Sequence, residues 1–208
     1  METLTELFCV VDDFCQAYEA GRGRHKLGKR AGKPGRPAVM SQSELMTLVI
    51  VFHQSHYRDF KAFYKQHVQR YLRAEFPHQV SYARFVQCLP GLRDLLGAFL
   101  MSRLGRCTGT SFIDSTPVAV CDIHRISTHR VFVGLAQRGK TSMGWFFGFK
   151  LHLVINDVGD LVALRITPGN THDPKPVLAL TEGLFGTLFG DKGYLGQPLQ
   201  NQLRDRPP

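Results

Sequence analysis

Asp114 closes the apolar stretch of SFIDSTPV, and Asp191 closes that of GTLFGDKGY. Each reads as a carboxylate at the end of a strand, with rigid backbone behind it and an open turn in front. Hard divalent cations take carboxylate oxygens as ligands. Two such groups on neighbouring strands suit metal-assisted phosphoryl transfer, in which two ions ~3.5–4 Å apart serve the attacking and leaving oxygens. Either aspartate alone fits a turn cap. The pair, in a basic chain, favours metal chemistry on nucleic acid.

The chain of 208 residues carries 26 Lys and Arg against 17 Asp and Glu, a net charge of +9, and is 43% hydrophobic. That balance favours a polyanionic partner and leaves enough apolar residues for a core. The charge is segregated. Residues 1–20 hold Glu2, Glu6, Asp12, Asp13 and Glu19 with no Lys or Arg. The Gly/Pro-rich stretch after them holds Arg22, Arg24, Lys26, Lys29, Arg30, Lys33 and Arg36 with no acid. Five cysteines without a C-x-x-C pair fit a reducing compartment and argue against a zinc ribbon or a disulfide scaffold. The acidic N-terminus does not read as a signal peptide, and no apolar run reaches the ~18 residues of a membrane span.

These carboxylates need a scaffold. Helical spacing is predicted over 3–20 (Leu4, Leu7, Phe8, Val11, Phe14, Cys15, Tyr18), stopping at Gly21. Residues 21–40 read as a basic linker able to lie along phosphates. Ser41-x-x-Glu44 is a capping box opening a second helix. A third is expected over 58–74, ended by Pro77, with Phe60, Phe63, Tyr64, His67, Val68 and Tyr71 on one face. Two more flank Pro90-Gly91. Residues 1–105 thus read as a helical, basic region compatible with a helix-turn-helix DNA reader.

Residues 106–208 change character. A short strand leads to Asp114, and strands over 145–156 and 161–167 are joined by a hairpin turn at 157–160. Asp173 reads as the N-cap of a helix over 174–183 with Pro174 at its first position. A last strand ends at Asp191. The stretch 124–147 reads as a basic loop facing DNA, with Trp145 in the core. Lys150 and His152 alternate on one strand and share a face. Lys150 is placed to meet a phosphate and His152 to lie near the metals. His172 stands beside Asp173, and Lys192 and Tyr194 come just after Asp191. Cys121 to His124 lack zinc-site partners.

Three segments, FIDSTPV, GFKLHLVINDVGDLVALRITPGNTHD and LFGDKGYLGQPL, together resemble the catalytic core of bacterial insertion-sequence transposases of the DDE class. The resemblance covers about residues 108–203. It implies an α+β protein whose helical N-terminal region precedes a ribonuclease H-like core with a mixed sheet, as in retroviral integrases. It implies that Asp114 and Asp191 are the first two catalytic and metal-binding residues, holding two Mg²⁺ or Mn²⁺ ions. The implied reaction is nicking and strand transfer at transposon ends. The implied partners are terminal inverted repeats, target DNA and a second copy of the chain, in a bacterial, nucleoid-associated cytoplasmic setting. His152, His172 and Tyr194 would surround the site, and Arg22, Arg24, Lys26, Lys29, Arg30, Arg36, Lys150 and Lys192 would bind DNA. The family's third carboxylate lies on a later helix. After Asp191 the only acid is Asp205, and Glu182 precedes Asp191. The resemblance therefore predicts a C-terminally incomplete core with one sheet face left open. Two other readings stand beside it: a non-catalytic DNA-binding fragment that regulates transposition, and a metal-dependent nuclease.

Overall fold

The computed structural model describes residues 3–25, 39–194 and 196–205. The chain divides into two compact units, Met1–Arg103 and Leu104–Pro208.

The first unit is all helix: α1 (Leu4–His25), α2 (Gln42–Gln54), α3 (Phe60–Ala62), a π-helical stretch (Phe63–Val68), α4 (Gln69–Tyr71) and α5 (Tyr82–Ser102). The capping box of α2 is present in both directions, Glu44 N–H to Ser41 Oγ and Ser41 N–H to Glu44 Oε2. Such a cap stabilises a helix by about 1 kcal/mol. Three expectations need correction. Helix α1 does not stop at Gly21 but runs to His25. The segment 58–74 is one helical stretch, but the π turn adds a residue to the turn and rotates the residues beyond it. Phe63, Tyr64 and Val68 are buried while Tyr71 is 69% exposed. This stretch ends at Tyr71, well before Pro77, because the Gln79 side-chain amide donates to the Val68 and Leu72 carbonyls. Finally, Pro90 lies inside α5. Its ring is on the exposed side, and Phe85, Leu92 and Leu95 keep one buried stripe on both sides of it. Core packing of that stripe outweighs the lost backbone bond.

The second unit is a five-stranded mixed sheet: β1 (Thr110–Cys121), β2 (Gln137–Thr141), β3 (Gly144–Asn156), β4 (Leu161–Pro168) and β5 (Thr187–Gly190). Strand β3 is central. It pairs antiparallel with β1 on one side and with β2 and then β4 on the other. The short β5 runs parallel to β1. Between β4 and β5 lies α6 (Val177–Leu180), and after β5 come a 3-10 turn (Lys192–Tyr194) and α7 (Gln197–Arg204). The α+β class, with a helical region followed by a mixed sheet, matches the expected architecture. Residues 124–147 are not a loop throughout. They hold a 3-10 turn (Ile123–Thr128) and β2, which forms a hairpin with β3 around Ser142-Met143.

Burial along β3 alternates without a break. Phe146, Gly148, Lys150, His152, Val154 and Asn156 are buried and their neighbours are less so. The buried face carries a core of Ile113, Val154, Val177, Leu180, Tyr194 and Leu199. The opposite face leaves Phe112, Ile155 and Ile166 exposed. Glycine is required where the β2–β3 hairpin meets the loop after β4. A Cβ on Gly169 would lie 2.6 Å from the Gln137 carbonyl oxygen and 3.0 Å from that of Gly148, to which Gly169 N–H donates at 2.9 Å.

Candidate functional site

Ile113 of β1 is the register partner of Gly190 of β5. Asp114 and Asp191 are each the next residue, so their backbones stand about one strand spacing apart, ~5 Å. Only Asp191 sits at a strand end. Asp114 lies inside β1, which continues to Cys121 against β3. The end that the sequence suggested is the end of β1's pairing with β5. Pro117 does not break the strand, because β5 stops at Gly190 and leaves that stretch of β1 without a neighbour on that edge.

Both aspartates are exposed. Asp114 Oδ1 accepts the Ser115 N–H at 2.7 Å, and Asp191 Oδ1 accepts the Gly193 N–H at 2.9 Å. Among the described residues no Lys, Arg or His pairs with either, and their Oδ2 atoms carry no hydrogen bond. Two adjacent carboxylates with open oxygens are the donor set a hard divalent cation prefers. Among the described residues no group of three or more His, Cys, Asp or Glu side chains converges, here or elsewhere.

Alternation along β1 sends Ser115 to the face opposite Asp114, and there it joins a polar cluster. Asp173 Oδ1 accepts from Ser115 Oγ at 3.0 Å and from Lys150 Nζ at 2.9 Å; Lys150 Nζ also donates to the Thr171 carbonyl at 3.0 Å. His152 Nε2 lies 2.9 Å from Thr167 Oγ1. This corrects three readings. Asp173 does not cap a helix: α6 begins only at Val177, with Pro176 as its N-cap, and the Asp173 carboxylate instead ties the loop after β4 to β1 and β3. Lys150 is only 9% exposed, so a phosphate would compete with Asp173 for its ammonium. His152 is fully buried on the far side of the sheet from Asp114.

Electrostatics follow from this burial. Burial pushes the Tyr194 phenol up to about 12, assisted by the negative charges of Asp173, Asp114 and Asp191 and opposed by the Ser115 hydroxyl, which lies near it without meeting hydrogen-bond geometry. Burial also holds His152 below its ordinary value, with Lys150 and Arg165 adding to the effect and Asp173 opposing it. The His152 imidazole is thus kept neutral. The Tyr194 hydroxyl and His152 Nδ1 are buried with no hydrogen-bond partner among the described residues.

His172 and Lys192 are exposed, the latter next to Asp191. Arg22 and Arg24 fall in the last residues of α1, and Lys26, Lys29, Arg30 and Arg36 lie outside the described residues. Trp145 is not core: it is 61% exposed. Sequence reasoning missed the Ser115–Asp173–Lys150 tie. The strand alternation that puts Ser115 on the face of Lys150 emerges only once β1 is known to pair with β3.

Among the described residues no helix is long and apolar enough to cross a membrane. A family model described as "Transposase DDE domain" matches residues 104–207. No curated protein and no solved structure matches the chain.

Proposed function

Because the chain belongs to the DDE transposase family, we propose that it acts on DNA as an insertion-sequence transposase, cleaving and transferring strands at transposon ends with a divalent metal. The side-by-side placement of Asp114 and Asp191 on paired parallel strands carries this reading. Mg²⁺ or Mn²⁺ would be held by these two carboxylates. When bound, such an ion supplies Lewis acidity and neutralises charge on the phosphodiester.

The remaining work falls to the chain. The Ser115 and Gly193 amides each fix one carboxylate oxygen and leave the other free to bind. Lys192, exposed beside Asp191, faces an approaching phosphate backbone. The net charge of +9 draws the polyanion in. Joining two transposon ends calls for at least two copies, and the substrate puts the protein with the nucleoid in the bacterial cytoplasm. The test is Mg²⁺-dependent cleavage of the DNA ends flanking the chain's own coding sequence, with Asp114→Ala and Asp191→Ala as controls. Cleavage that persists in both variants would refute the assignment.

One observation favours a second reading, a chain that binds transposon DNA without cutting it unaided. Two carboxylates are a sparse donor set for two ions, and no third ligand converges on them among the described residues. Tight, specific binding with no metal-dependent cleavage would decide for it.

A further inference from the structure

We infer that the β2–β3 hairpin is a binding site for a DNA strand with unpaired bases, with Trp145 as the stacking platform and Lys140 and Arg138 as the phosphate contacts. The inference rests on the reading of the chain as a DNA-acting protein and adds a site away from the carboxylates.

Three observations support it. First, Trp145 is 61% exposed and Met143, at the hairpin tip, is 97% exposed. A large ring left open on a paired strand is not packing a core. Second, Lys140 is the cross-strand partner of Trp145, with its ammonium 5.7 Å from the ring centroid, and Arg138 is the partner of Phe147 two positions along on the same face. Cations flanking an open aromatic ring are what a strand needs, with phosphates on the charges and a base on the ring. Third, no acid occurs between Asp122 and Asp157, while the segment carries the exposed Arg125, Arg130, Arg138 and Lys140. The charge of the whole segment therefore selects a polyanion over an apolar or acidic protein partner. Unpaired bases are favoured because a base within a duplex already has both of its faces stacked.

The test uses the full chain in EDTA, so that no cleavage is needed. The chain contains one tryptophan, and its emission reports Trp145 alone. Single-stranded oligonucleotides should quench that emission and should bind Trp145→Ala ~10-fold or more weakly, with Trp145→Phe recovering much of the loss. Lys140→Ala and Arg138→Ala should each reduce the slope of affinity against salt by about one. The proposal is overturned if labelled strands bind while the emission stays constant, or if Trp145→Ala binds them as tightly as the parent. Absence of any strand binding also overturns it. Emission that tracks protein concentration and ignores DNA would give the patch to a second copy of the chain instead. A chain that passes this test but never cleaves leaves the hairpin assignment standing and removes the catalytic one.

Discussion

Replacing Asp173 by Ala should destabilise the second unit by more than replacing its partner Lys150 by Met. Breaking a fully buried ion pair from one side costs ~3–5 kcal/mol, and an exposed pair is worth ~0–1 kcal/mol. Here the Lys150 side chain is 11% exposed and that of Asp173 31%. Asp173→Ala leaves an almost buried ammonium with only the Thr171 carbonyl and strands the Ser115 hydroxyl, a loss of ~2–3 kcal/mol. Lys150→Met leaves a carboxylate that still accepts from Ser115 and still reaches water, a loss of ~1–2 kcal/mol. The double variant should cost about as much as Lys150→Met alone, so the coupling is about the whole Asp173→Ala loss, ~2–3 kcal/mol. For a unit of this size, Asp173→Ala then lowers the midpoint of thermal unfolding by roughly 10–20 °C. Denaturant and thermal unfolding of the full chain, monitored by a probe in the sheet, measure all three variants. Additive single losses, or a larger loss from Lys150→Met, would refute the reasoning.

Four further outcomes are expected. His152 has its folded pKa below the ordinary 6.5, so as pH falls the unfolded chain takes up the proton first. Stability is complete above about pH 6.5 and drains as pH drops toward the folded value; His152→Gln should flatten this slope, and an unchanged slope assigns the pH dependence elsewhere. Tyr194→Phe removes a buried, unpartnered hydroxyl and should be neutral or stabilising in thermal unfolding, whereas a loss above ~1 kcal/mol would mean the hydroxyl is bonded. Gly169→Ala pushes a methyl against the Gln137 carbonyl and should cost ~1–3 kcal/mol, with faster tryptic cutting at Arg138 and Lys140; an unperturbed unfolding midpoint counts against that contact. Pro90→Ala restores a helix bond on the exposed side of α5 and should stabilise the first unit by up to ~3 kcal/mol, so a destabilised variant would contradict the helix running through residue 90.

Features set by neighbouring residues were legible in the sequence. The Ser41–Glu44 box and the turn between β3 and β4 rest on contacts within four residues of one another. The carboxylate pair was legible because both aspartates come directly after short apolar runs that do become paired strands. What escaped depends on partners far along the chain. Pro90 reads as a stop until the stripe of Phe85, Leu92 and Leu95 is known to be buried. Trp145 reads as core until β2 is seen to pair beneath it and leave its ring outside. Asp173 followed by Pro174 has the local form of a helix start, and only the folded position of Lys150, 23 residues upstream, gives that carboxylate another use.

The brevity of β5 has a consequence for when the site exists. Each of the four residues of β5 lies 77 positions after its partner in β1, the widest separation any strand pair in this sheet must close. The β2–β3–β4 meander needs only short connections and forms first. Asp191 therefore reaches Asp114 late in folding, and the same four-residue seam is the cheapest part of the sheet to reopen. Amide hydrogens of Leu188 and Phe189 should exchange with solvent well before those at the centre of β3. The two carboxylates are then a transient encounter made persistent by four paired residues, and whatever settles on that seam decides how long they stay together.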